Sequence, residues 1–151
     1  MKKNIYKKKV DNTRVSRITN QWINLYQEYY EFDNRVIELI EYKNGTFYME
    51  SVTGTALRDL DYNTLSSDEK RFIFNEVVDI WTNHVNFKGS ELTPNELFVH
   101  DDYHVGNLFY TGDSVRLLDP DSFWVYDLNN HINGYIGKFL DSFISMQKIW
   151  S

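Results

Sequence analysis

The chain has 151 residues, enough for one domain or two small lobes, and its 42% hydrophobic and 17% aromatic content can build a core. It contains no Cys, which excludes disulfides, thiolate catalysis and Cys-ligated zinc and fits a cytoplasmic location. Net charge is −6 although five of the first nine residues are Lys, so the acidic remainder is expected to repel nucleic acid and acidic membranes, and no apolar run is long enough to span a bilayer.

Residues 4–10 read as a short strand. Residues 14–31 place Val15, Ile18, Trp22, Leu25, Tyr26 and Tyr29 at steps of three and four, which predicts one amphipathic helix. Residues 36–42 and 46–52 are β-prone runs flanking Lys43-Asn44-Gly45, a strong hairpin signal. Thr53-Gly54-Thr55 breaks the second strand. Ser66, Asp68 and Glu69 open a helix that Phe72, Ile73, Val77, Ile80, Trp81 and Val85 carry to about residue 87. A turn is expected at Thr93-Pro94-Asn95-Glu96, and His84 and His131 read as surface or capping residues. Leu108-Phe109-Tyr110 and Val115-Arg116-Leu117-Leu118 form a second hairpin, and residues 131–150 a last amphipathic helix. The order is α+β with the strands in two groups.

Between these elements stands His100-Asp101-Asp102-Tyr103-His104-Val105-Gly106-Asn107, followed after the hairpin by Leu118-Asp119-Pro120-Asp121. Phosphoryl transfer needs little covalent work from a protein; it needs positioning and charge neutralisation. Asp102 is a carboxylate for the proton of an attacking hydroxyl. Asn107 and Asp119 are hard oxygen donors suited to Mg²⁺ on a triphosphate. A turn followed by a hairpin can aim all three into one cleft.

The His-x-Asp-x-His-x-Gly-Asn run and the Leu-Asp-Pro-Asp run resemble the catalytic loop and metal-binding segment of the aminoglycoside phosphotransferase and choline kinase group, within the protein-kinase-like fold. Residues 47–57 resemble the strand and hinge that hold adenine there, and the likeness runs from about residue 4 to 125. It implies a reduced bilobal fold: a small antiparallel sheet plus helix (about 1–52), a hinge (about 50–57), and a shortened helical lobe with a catalytic hairpin (about 58–151). It also implies ATP and Mg²⁺, with Asp102 as catalytic base, and Asn107 and Asp119 as metal ligands. Asp121 would assist a second ion or orient substrate. His100 would brace the metal segment through a hydrogen bond, and the backbone from Glu50 to Val52 would meet adenine. A first-strand Lys would meet the phosphates; Lys7 fits the register, with Lys8 and Lys9 as alternatives. The acceptor would be a hydroxyl-bearing small molecule or protein. Asp101, Asp121 and Asp127 suggest an acidic pocket for a cationic one.

Three departures open other readings. Only six residues precede Lys7, too few for a Gly-rich phosphate-covering hairpin. The position where the family helix offers a Glu to the Lys falls near Gln21, with Glu28 the nearest acid. The residue before the catalytic Asp, commonly Gly, is Asp101. A pseudokinase, binding nucleotide or a partner without catalysis, is therefore the alternative. Nucleotidyl transfer by the same residues and a homo-oligomer that completes the site are further ones.

Overall fold

The computed structural model describes residues 4–129 and residue 144. Strand β1 (Ile5–Lys9) pairs antiparallel with β3 (Thr46–Glu50), which pairs with β2 (Leu39–Lys43), so the first sheet has the order β1-β3-β2. The β2–β3 turn is closed by Asn44 and Gly45, both at positive φ (52° and 73°), the left-handed geometry that a two-residue hairpin requires.

Helix α1 spans Asn20–Phe32, six residues later than the helical spacing predicts. Thr19 is the reason: its side chain accepts the Trp22 N–H and caps the helix there, while Val15–Arg17 form a separate 3-10 turn. The predicted apolar face is the one that packs. Trp22 stacks on Tyr26 and on Phe47 of β3, and Tyr26 and Tyr29 meet Phe123 from the far side of the molecule. The Trp22 indole N–H donates to the Phe123 carbonyl at 2.8 Å. One aromatic interior thus runs from the first sheet through α1 into the second half of the chain.

That second half contains helix α2 (Ser67–Asn86), opened by a capping box between Ser66 and Glu69. Strand β4 (Thr55–Ala56) pairs with β6 (Leu108–Tyr110), and β6 with β7 (Val115–Leu117). Strand β5 (Glu96–His100) pairs with β8 (Phe123–Asp127). Neither β5 nor β8 is among the elements expected from sequence, so the strands form three groups instead of two. The helix expected over 131–150, and His131, lie outside the described residues.

His84 is not a surface or capping residue. It is fully buried, with Nδ1 2.7 Å from the Tyr29 hydroxyl and 2.9 Å from the Ile80 carbonyl, and burial pushes its pKa down to about 3. Arg35, just after α1, ties the halves together through Asp33 (2.8 Å), Glu76 (2.7 Å) and Asp79 (2.8 Å).

Candidate active site

The end of β5 and the turn after it hold His100 to Asn107, and the segment after β7 holds Asp119. Backbone pairing draws them together: Leu118 N–H donates to the Asn107 carbonyl at 2.8 Å, and Asp101 N–H to the Ser122 carbonyl at 2.8 Å. His100 is 1% exposed and welds the same seam. Its Nδ1 accepts the Asp102 N–H (3.1 Å), so the proton of the neutral ring sits on Nε2 and is donated to the Leu118 carbonyl at 2.8 Å. Burial holds that ring neutral, with its pKa lowered to about 4.

Asp119 occupies the left-handed region at φ 65°, ψ 64°, and Pro120 begins a 3-10 turn immediately after it. Such a backbone is costly for a non-glycine residue and persists only where the surroundings impose it. Here Ser122 does so, its N–H reaching the Asp119 carbonyl (3.0 Å) and its hydroxyl the Asp119 Oδ2 (2.7 Å).

Asn107 Nδ2 donates to the Asp102 carbonyl at 2.9 Å and lies 3.4 Å from Asp102 Oδ2, which turns the amide oxygen the other way. The Asp102 carboxylate is 39% exposed, with His104 Nε2 3.4 Å from its Oδ2. His104 Nδ1 accepts the Gly106 N–H at 2.9 Å, so a neutral ring presents its N–H toward Asp102. A Cβ on Gly106 would stand 2.7 Å from the His104 ring, so any larger residue would have to displace that ring.

A cleft of 540 Å³ joins these groups to the first sheet; its walls include Tyr6, Lys8, Glu50, Val52, Asn107 and Asp119. Lys8, not Lys7, enters it. Residues directly opposite in an antiparallel pair share a face. Lys8 pairs with Phe47 and Tyr6 with Met49, and both β3 partners are buried. Lys7 pairs with Tyr48 on the outer face and rests 5.5 Å from that ring. The Lys8 ammonium bridges Asp119 and Asp121, the latter at 2.9 Å.

At the opposite end of the cleft, the Glu50 N–H is taken by the Glu38 carbonyl and the Ser51 N–H by the Asn4 carbonyl, at 3.0 and 2.9 Å. The Glu50 carboxylate is held by Arg116 of β7 and by the Glu38 N–H, a structural use. Val52 N–H makes no hydrogen bond among the described residues, and it lines the cleft. Gly54 packs the hinge on β6 so closely that a Cβ would lie 2.7 Å from the Tyr110 carbonyl oxygen.

A second cation is present that the sequence pattern does not reveal. Arg14 Nη1 lies 3.5 Å from Asp119 Oδ2, 3.6 Å from Asp121 Oδ2 and 3.0 Å from Ser122 Oγ. Two carboxylates and two cations form one cluster. Burial opposes ionisation of Asp119, but hydrogen bonds from Asp121, Lys8 and Ser122 prevail and hold its carboxyl far below the usual carboxylate range. Burial and the neighbouring Asp119 push Asp121, 1% exposed, the other way, so Asp121 keeps a proton to higher pH. Burial alone would lower the Lys8 pKa; the two carboxylates outweigh it and raise it.

The carboxylates expected to form an acidic acceptor pocket are engaged. Asp101 accepts from Arg17 (3.2 Å), which stacks 4.7 Å over Trp124, and from the Tyr126 hydroxyl (3.2 Å). Asp121 is buried under Lys8 and Arg14. Gln21 is exposed, and Glu28 is tied to Ser90, so neither pairs with Lys8.

Among the described residues no three His, Cys, Asp or Glu side chains gather as a metal site by themselves. The donors present are those Mg²⁺ uses beside a nucleotide: one or two protein oxygens, with phosphates and water completing the shell. Asp119 Oδ and the outward amide oxygen of Asn107 fit that demand.

No protein-family model matches the chain, and no curated protein matches it. Among solved structures it is similar to Rio2 kinase from Chaetomium thermophilum, in a complex with ADP, Mg²⁺ and phosphoaspartate, with a TM-score of 0.57 and 12% sequence identity. The match covers 85% of this chain but only 38% of that one. Among the described residues no helix is long and apolar enough to cross a membrane. The likeness, together with the small antiparallel sheets and the helices α1 and α2 of the described residues, supports a protein-kinase-like fold.

Proposed function

We propose that the chain is an ATP- and Mg²⁺-dependent phosphotransferase that moves the γ-phosphate to a hydroxyl of a small molecule or protein, in the manner of the aminoglycoside phosphotransferase and choline kinase group. The observation that carries this reading is the convergence of Lys8, Asn107 and Asp119 on one cleft whose other end is the Glu50–Val52 hinge. In this reading the Val52 N–H meets an adenine ring edge and Lys8 meets phosphate oxygens; both residues line the cleft. Asp102 orients the acceptor hydroxyl. As its oxygen bonds to the γ-phosphorus and the bond to the β-phosphate oxygen breaks, ADP leaves and the hydroxyl proton passes to Asp102. His104, 3.4 Å from Asp102, steadies that carboxylate. A Mg²⁺ held by Asp119, Asn107 and the phosphates would neutralise the charge that builds on the leaving oxygen.

Thermal unfolding with and without Mg·ATP tests this. Saturation at a hundredfold excess over Kd adds about 2.7 kcal/mol. The shift should require Mg²⁺ and vanish in Asp119→Asn. Asp102→Ala should keep the shift and lose turnover on hydroxyl acceptors by orders of magnitude. No shift at millimolar nucleotide sinks the proposal.

One observation favours a second reading, a nucleotide- or partner-binding module without catalysis: Lys8 is tied to the carboxylates that would hold metal, and no acid of α1 pairs with it. A Mg-dependent shift with no turnover, unchanged by Asp102→Ala, would select it.

A further inference from the structure

We propose that Arg14 is a second phosphate-binding cation, directed at the terminal phosphate of the nucleotide; this rests on the reading of the cleft as a nucleotide site. Arg14 is set by a compact turn between β1 and α1, in which Thr13 N–H donates to Asp11 Oδ1 and Arg14 N–H to the Asp11 carbonyl, both at 2.8 Å. Its guanidinium lies against Asp119, which lines the cleft, and against the buried Asp121. Among the described residues only Nη1 is engaged. Its one short bond goes to Ser122 Oγ (3.0 Å), and its carboxylate contacts are long, at 3.5 and 3.6 Å. Among the described residues the other donors of the fork meet no acceptor, and a planar guanidinium is suited to grip two oxygens of one phosphate.

The cluster also explains how such a cation is kept in reserve. Without nucleotide, Lys8 and Arg14 neutralise Asp119 and Asp121. With Asp119 holding Mg²⁺, its charge would be taken up by the ion, and Lys8 and Arg14 would be free to turn to phosphate oxygens. Lys8 comes from β1 and faces the cleft interior. Arg14 reaches the cleft through Asp119, the carboxylate proposed to hold the metal on the terminal phosphates, and is therefore assigned to that end of the nucleotide.

The test is calorimetric titration of the whole chain with Mg·ATP, Mg·ADP and adenosine, for wild type, Arg14→Gln and Arg14→Lys. Circular dichroism establishes that each variant is folded. Arg14→Gln should weaken Mg·ATP about tenfold or more, weaken Mg·ADP far less, and leave adenosine unchanged. Arg14→Lys keeps the charge but loses the fork, and should lose part of the ATP-over-ADP preference. A purely structural role at Asp119 and Ser122 would weaken ATP and ADP alike. That outcome, or an unchanged ATP-to-ADP ratio in both variants, overturns the assignment while leaving the nucleotide site standing. If wild type binds none of the three ligands, the nucleotide reading fails and this assignment fails with it.

Discussion

Replacing Lys8 by Met removes the ammonium from two carboxylates while keeping much of its stem. Asp121, 1% exposed, loses a charge-assisted hydrogen bond of 2.9 Å, and Asp119 loses its contact too. Such bonds contribute about 1.5–3 kcal/mol each. Arg14, at 3.5 and 3.6 Å, remains and offsets part of the loss, so the net destabilisation at pH 7 should be about 2–3 kcal/mol. For a chain of this size that lowers Tm by roughly 4–10 °C. The sign of the pH dependence follows from Asp119, whose folded pKa is depressed. Its stabilisation is present above the ordinary carboxylate pKa of about 3.9 and is lost as pH falls below it. Above that pH the Asp119 contribution is constant, so the change between pH 7 and pH 4 comes from Asp121. With one cation left for two close carboxylates its raised pKa rises further, it takes up a proton as pH falls, and the Lys8→Met deficit should be largest at pH 7 and shrink toward pH 4. Urea denaturation of both proteins at the two pH values measures it. Adding Asp121→Asn should recover at least about half of the loss, because the stranded buried charge is then gone. A deficit below about 0.5 kcal/mol, within the ordinary range of surface substitutions, would refute the reasoning. So would a deficit independent of pH, or a double variant no better than the single one.

His84 and His100 are buried and neutral, with pKa values lowered to about 3 and about 4. Their unfolded forms bind protons below about pH 6.5, so the chain should lose stability as pH falls from there toward 4, by up to about 1.4 kcal/mol per pH unit for each. His84→Gln should flatten that slope; an unchanged slope counts against the burial argument. Gly54→Ala should cost about 1–3 kcal/mol by driving a methyl into the Tyr110 carbonyl, read as a lower Tm and a weaker hinge-side response to adenosine. Arg35→Ala strands Asp33, 6% exposed, together with Glu76, and should cost about 3–5 kcal/mol by chemical denaturation; a loss under about 1 kcal/mol would show that water replaces the guanidinium.

What was legible in the sequence was what is encoded locally. The Asn44-Gly45 turn, the Ser66–Glu69 cap and the spacing of His100, Asp102, Asn107 and Asp119 all lie within short stretches. Strands β5 and β8 were not. Four of the five β5 residues are buried, so no alternation marks it, and its partner follows only after the whole β6–β7 hairpin. The parity of β1 was misread for a related reason. Ile5 and Tyr6 are equally exposed at 54%, so the strand carries no apolar stripe, and only its register against Phe47 and Met49 decides which Lys turns inward. Arg14 left no signal because it meets Asp119 across 105 residues. The helix start was displaced because apolar spacing continues through Val15 and Ile18 although Thr19 caps the backbone.

The aromatic interior that passes from Phe47 through Trp22 and Tyr26 to Phe123 has a mechanical consequence. Jaws that open and shut need a seam along which few contacts are broken, and here the seam is filled with stacked rings and an indole hydrogen bond. Rigid-body closure over a nucleotide would tear that packing. If the cleft takes a nucleotide as proposed, the moving parts would be small: the ends of Lys8 and Arg14, turning from carboxylate to phosphate. On that reading the described residues would act as a fixed frame, and selectivity would reside in how readily those two side chains change grip.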